Sequence, residues 1–171
     1  LHFELVRIYA QPWDATGANN GPGVPIARTA VNNESAAGEK VVRNTISEVY
    51  AAVIEDLRAA ELALPDSRSG TDRFRGTTYT AKAFLARVYL QQSRFADALT
   101  MADAVISSNN YALNASIAST FTNKFTNETI FELYNNDQNN AGTANDGLTT
   151  FYASLPGIGR SDVRILAAFA D

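Results

Sequence analysis

The feature that most restricts what this chain can fold into is a set of three apolar stripes at helical spacing between residues 45 and 107. Thr45-Ile46-Ser47-Glu48 forms a capping box, in which the Thr hydroxyl accepts from the backbone three residues on and the Glu reaches back to the cap. Ile46, Val49, Tyr50, Val53, Leu57, Ala60 and Leu64 then recur every three or four positions, and Pro65 stops the pattern. A second stripe, Ala81, Phe84, Leu85, Val88 and Tyr89, predicts a helix from about Thr77 to Gln92. A third, Phe95, Ala98, Leu99, Ala102, Val105 and Ile106, predicts one from about Arg94 to Ser107, with Ser93 as its expected N-cap.

The last two helices have the spacing of a tetratricopeptide (TPR) unit: Leu85, Ala86, Tyr89, Ala98, Ala102 and Val105. Small residues at 86 and 98 let antiparallel helices approach, and Tyr89 fills the groove between them. A shorter stripe at Phe3, Leu5, Val6, Ile8 and Tyr9 predicts an opening helix ended by Pro12. It is expected to pair with the 45–64 helix across a long loop at 12–44, rich in Gly, Pro, Asn and Ser. Beyond the helical core at 45–107 lies a mixed region, 108–171. There a short helix is expected near Ala115–Phe121, a strand or extended piece at Thr129–Tyr134, and a loop at Asn135–Asn145. The fold class is therefore mostly α: TPR-like antiparallel helix pairs of an α-α superhelix, long irregular loops, and at most a short strand or two.

Composition excludes several chemistries. The 171 residues contain no Cys and one His, His2, which leaves no thiol nucleophile, no Cys-based zinc site and no pair of imidazoles. A net charge of -4 without a local Lys/Arg cluster argues against nucleic acid. No stretch is long and apolar enough to span a membrane, and no signal peptide is present. The chain starts at Leu1 and ends in the apolar run 165–170 followed by Asp171. Both ends read as cut, so a segment of a longer protein is expected.

In this order, five motifs carry a family likeness: Phe3-Glu4-Leu5-Val6-Arg7-Ile8-Tyr9 with Gly23-Val24-Pro25-Ile26; Val49-Tyr50 through Leu64-Pro65; Ala81–Leu90 leading into Ala98–Ser107; Asn127-Glu128-Thr129-Ile130-Phe131-Glu132; and Asp162-Val163-Arg164. The ordered set resembles the SusD/RagB outer-membrane nutrient-binding lipoproteins, of which it would cover the central part. The resemblance implies a TPR scaffold that binds oligosaccharide at the cell surface without catalysis and without a cofactor. It also implies a TonB-dependent, SusC-like transporter as partner, and a lipid anchor outside this segment as the only membrane attachment. The alternative is a TPR-type scaffold for protein partners, although the two long loops are foreign to a plain peptide-binding array.

The family's contact residues vary, so sites are sought in the loops. Trp13 offers a stacking surface for a sugar ring, or else pins the loop to the scaffold. Tyr134 with Asn135, Asp137 and Asn139 offers amide and carboxylate partners for hydroxyls, or else a solvated loop. Tyr152 is a weaker version of the same idea. Calcium frames starting at Asn135 or Asp137 lack the required Gly or the closing Glu, so no metal is expected. Gly21-Pro22-Gly23 lacks the Lys-Ser/Thr of a phosphate loop. Arg68, Arg73 and Arg75, with Asp66 and Asp72, read as a solvated connector and not as an anion or partner site. Carboxylate pairs such as Glu55-Asp56 fall on a solvent face, which gives no support to an enzyme.

Overall fold

The computed structural model describes residues 1–34, 38, 41–68, 73–136, 138 and 159. The chain divides into two compact units, Leu1–Glu132 and Leu133–Asp171. The described helices all lie in the first unit: α1 (His2–Tyr9), α2 (Ile46–Ala63), α3 (Thr78–Gln91), α4 (Phe95–Ile106) and α5 (Ile117–Thr122). Among the described residues there is no strand, only an isolated antiparallel bridge between Pro22 and Thr45. The 129–134 stretch is irregular, joined to residue 73 by one backbone bond from the Glu132 N–H to the Arg73 carbonyl (3.1 Å).

The capping box at the start of α2 forms in both directions. The Glu48 N–H donates to the Thr45 hydroxyl at 3.2 Å, and the Thr45 N–H donates to the Glu48 carboxylate at 2.8 Å. The helix ends as expected: Leu64 is extended, the conformation favoured before proline. The start of α3 then bonds to carbonyls at and just beyond the C-cap of α2. The Thr78 hydroxyl donates to the Leu64 carbonyl (2.8 Å) and the Thr78 N–H to the Pro65 carbonyl (3.0 Å). At the N-terminus of α3, Thr77 and Thr80 make the same reciprocal cap with a hydroxyl in place of a carboxylate.

Two apolar clusters result. The first joins Phe3 and Val6 of α1, Val24 of the loop, Ile46, Val49, Tyr50 and Val53 of α2, and Val88 of α3. The second joins Leu85 and Tyr89 of α3 to Ala98 and Met101 of α4. Ile54 and Leu57 of α2 touch both clusters, so α2 is the spine of the unit. α1 packs on α2, α2 on α3, and α3 on α4, as two successive helix pairs require.

Two expectations about side-chain placement fail for a shared reason. Phe95, Leu99 and Ile106 of α4 are 65%, 61% and 71% exposed, whereas Ala98, Met101 and Val105 are buried. A helix with one described helical partner buries one narrow row, and the second apolar row stays uncovered. Likewise α1 buries Phe3 and Val6 on α2 but leaves Ile8 and Tyr9 exposed. Ser93 is not the N-cap of α4. It takes a left-handed φ of 59° to reverse the chain in two residues, and Arg94 occupies the cap position without a side-chain cap bond. Arg94 instead lies 4.3 Å over the Tyr89 ring and pairs with Asp97 at 2.7 Å.

The cap on α2 sets a pH dependence. Hydrogen bonding by the Thr45 N–H, then by the side chains of Asn44 and Thr45, holds the Glu48 carboxyl below its ordinary value of 4.5. A carboxylate stabilised in the folded state adds stability above that value and loses it as the pH falls through the folded pKa. Glu48→Gln keeps the cap geometry without the titration. The gap in melting temperature between wild type and Glu48→Gln is therefore expected to shrink between pH 6 and pH 3. A gap that stays constant with pH would contradict the role given to the carboxylate.

Candidate functional site

The best-built irregular region of the first unit is the loop after α1. It begins with an Asx turn, in which the Asp14 carboxylate accepts from the Thr16 N–H (2.8 Å) and the Thr16 hydroxyl (2.9 Å). Those bonds, the backbone N–H first, hold the Asp14 carboxyl below its ordinary range. Asn19, at a φ of 54°, closes the turn from the other side. Its amide accepts from the Asp14 N–H (2.8 Å) and donates to the carbonyls of Asp14 (2.8 Å) and Gly17 (2.9 Å).

From there the loop docks on the open end of α2. The N–H groups of Ile46 and Ser47, which a helix cannot satisfy internally, donate to the carbonyls of Gly21 (3.0 Å) and Asn19 (2.9 Å). The Gly23 N–H donates to the Asn44 carbonyl at 2.7 Å, and the Asn44 side chain accepts from the Ile26 N–H at 3.0 Å. The Arg43 guanidinium donates to the carbonyls of Tyr9 (2.9 Å), Pro22 (3.1 Å) and Gly23, tying the end of α1 to the loop. Arg43, Asn19 and Asn44 went unassigned in the sequence. The Asp-x-Thr turn at 14–16 was a readable signal; the Arg43 clamp joins residues 20 and 34 positions apart and has no local one.

Trp13 sits at the base of this loop. Its ring lies 4.8 Å from the buried Tyr50 ring at 61°, and Tyr50 meets Phe3 edge-on at 6.1 Å. The indole is half-buried, and the phenol of Tyr50 is raised above its ordinary value chiefly by burial. An adjoining cleft of about 400 Å³ is lined by Gln11, Pro12 and Tyr50, by Gln91 of α3, and by Glu4 and Arg7 of α1, which pair at 2.8 Å. The amides and the ion pair of this cleft offer several donors and acceptors, and the half-buried Trp13 beside it is the ring with surface left to stack on.

Tyr134 and Asn135 belong to the second unit. Tyr134 is half-exposed, and the Asn135 amide donates to the Leu133 carbonyl at 3.4 Å. Asp137, Asn139 and Tyr152 lie outside the described residues, as do the Asp162-Val163-Arg164 motif and most of the calcium frames. Among the described residues no group of three or more acids and imidazoles is placed to hold a metal, and no helix is long and apolar enough to cross a membrane. The Asn127–Glu132 motif is ordered by its acids. The Glu128 carboxylate accepts from the Asn114 N–H (2.9 Å) and the Thr120 hydroxyl (3.2 Å), and Glu132 accepts from the Phe125 N–H (3.2 Å).

A TPR-like scaffold with a docked loop is the class this architecture defines. Residues 1–90 match the SusD-like family described as starch-binding and associating with the outer membrane. The chain belongs to that family. A SusD superfamily crystal structure from Bacteroides thetaiotaomicron is 27% identical with a TM-score of 0.65, over 80% of this chain and 29% of that one. A second, from Bacteroides fragilis, is 22% identical with a TM-score of 0.66, over 79% of this chain and 30% of that one, a likeness of fold. This chain thus spans under a third of either neighbour's length. No curated protein sequence matches it.

The docked loop makes a differential prediction. A Cβ on Gly23 would lie 2.9 Å from the carbonyl oxygens of Asn44 and Thr45, both backbone. A Cβ on Gly21 would meet only the Ile46 side chain, at 3.5 Å. Gly23→Ala is expected to destabilise by about 1–3 kcal/mol, the usual cost of overpacking, with Gly21→Ala near neutral in denaturant titrations. Equal effects at the two glycines would show that the loop is not docked this way.

Proposed function

We propose that the protein binds oligosaccharide at the cell surface without altering it and passes it to a TonB-dependent transporter of the outer membrane. The observation that carries this reading is the family match, which spans α1, the docked loop, α2 and most of α3. Two separate sets of contacts are proposed: in the first unit, ring stacking on Trp13; in the second, Tyr134 with the amides and carboxylate of Asn135, Asp137 and Asn139, and Tyr152 as a further contact. The lipid anchor of such a protein would lie outside this segment. Several acids of the first unit serve the scaffold: Glu48 a cap, Glu128 and Glu132 backbone groups, and Glu55 an ion pair with Arg28.

A protein-binding scaffold is a second reading. The exposed row Phe95, Leu99 and Ile106 on α4 favours it, because such a row suits another helix or a partner surface.

Calorimetric titration of the chain with a linear starch oligosaccharide tests the first reading. Binding is expected with no release of reducing ends. Trp13→Ala is expected to weaken it by about 1 kcal/mol or more, the scale of an aromatic stack. Unchanged affinity together with a lowered melting temperature would assign Trp13 to packing alone. Absence of binding to any glycan, neutral or acidic, would remove the glycan reading and leave the scaffold.

A further inference from the structure

The connector between α2 and α3 has a different character in three dimensions from its mixed-charge sequence. Arg68, Arg73 and Arg75 converge on a cleft of about 160 Å³, completed by Thr77, Asn110 and Tyr111. That is roughly ten times the space one water needs. Asp66 is the one carboxylate among the described residues in its wall, so three guanidiniums less one acid leave two positive charges.

The other described arginines are all engaged. Arg7 and Arg87 share Glu4, Arg28 pairs with Glu55, Arg58 with Glu61 and Arg94 with Asp97, and Arg43 holds three carbonyls. Arg68, Arg73 and Arg75 pair with no carboxylate among the described residues. Aromatic rings position two of them without neutralising them: Arg73 lies 5.0 Å from the Tyr111 ring centre and Arg75 5.8 Å from that of Phe74. Arg68 makes one long bond, 3.4 Å, to the Gly76 carbonyl. Thr77, the N-cap of the 14-residue α3, brings the positive end of that helix to the same cleft, and its hydroxyl lies 3.4 Å from the Tyr111 hydroxyl. In a chain of net charge -4, three arginines gathered around one cleft, none paired with a carboxylate among the described residues, point to a negative group supplied from outside.

We infer that this cleft is an oxyanion site for the carboxylate or sulfate of an acidic sugar. Guanidinium forks match both groups, and hydroxyl and amide side chains beside them suit the neighbouring sugar hydroxyls. The oxyanion assignment rests on the cleft alone; its carrier being a sugar rests on the glycan reading above.

Three probes separate the possibilities in calorimetric titrations of the whole chain: trigalacturonic acid, its methyl ester, and sodium sulfate. The acid is expected to bind, to weaken as salt rises, and to outbind the ester at least tenfold. Arg73→Gln, Arg75→Gln and Arg68→Gln are each expected to cut its affinity at least tenfold, with Arg73→Lys falling between. Circular dichroism checks that each variant is folded, and should Arg73→Gln unfold, Arg68→Gln carries the test. Acid binding that ignores all three substitutions would overturn the site. Sulfate binding as tightly as the trisaccharide, with the same arginine dependence, would overturn the sugar and leave an anion site. Starch-oligosaccharide binding with no arginine-dependent binding of the acid would overturn this inference and leave the glycan reading standing. Arginine-dependent acid binding without starch binding would support it and limit the ligands to acidic sugars.

Discussion

Burial of the Val49–Tyr50 face of α2 is the interaction on which the rest of the unit depends. Val49 is fully buried and Tyr50 is 2% exposed. Around them meet α1 through Phe3 and Val6, the loop through Trp13 and Val24, and α3 through Val88. Full burial of an apolar side chain of this size contributes about 1.5–3 kcal/mol, so a handful of them on one helix outweighs any single hydrogen bond in the loop. The same helix reaches α4's cluster through Ile54 and Leu57. Its N-terminal amides are capped by loop carbonyls, so the loop completes the helix as much as the helix carries the loop.

The helices were legible because each signal is local. The capping box, the proline stop and the stripes of α2 and α3 fall within a few residues of one another, and the structure places those helices within a residue or so of the expected bounds. Which side of a helix is buried is not local. Phe95, Leu99 and Ile106 obey helical periodicity as well as Ala98 and Val105 do, and only the direction of α3's approach selects one row over the other. Met101, which packs against Leu85 and Tyr89, was missed for the same reason. Ser93 has good cap chemistry, but the demand for a left-handed residue in a two-residue reversal overrode it.

The site was less legible than the scaffold. Trp13 was readable as an aromatic at a helix exit, and its contact with Tyr50 agrees with the pinning role weighed for it, while its half-exposed ring leaves the stacking role open to test. The loop's own order comes from Arg43, Asn19, Asn44 and Gly23, whose partners lie far off in sequence or depend on a backbone approach that composition does not encode. The arginines at 68, 73 and 75 looked like a solvated connector because two acids stand among them in sequence. Convergence with Tyr111 and Asn110, some 35 residues on, is a tertiary fact.

If the loop is part of the folded unit and not an appendage, its amides must open with the scaffold. Hydrogen–deuterium exchange of Gly23, Asn44, Ile46 and Ser47 measures this most directly, because their N–H groups donate across the loop–helix junction. Protection factors close to those of Val53 and Leu85 are expected, lost together with them as denaturant is raised. Rapid exchange at these four amides while α2 and α3 stay protected would show that the loop is not held by the Val49–Tyr50 face.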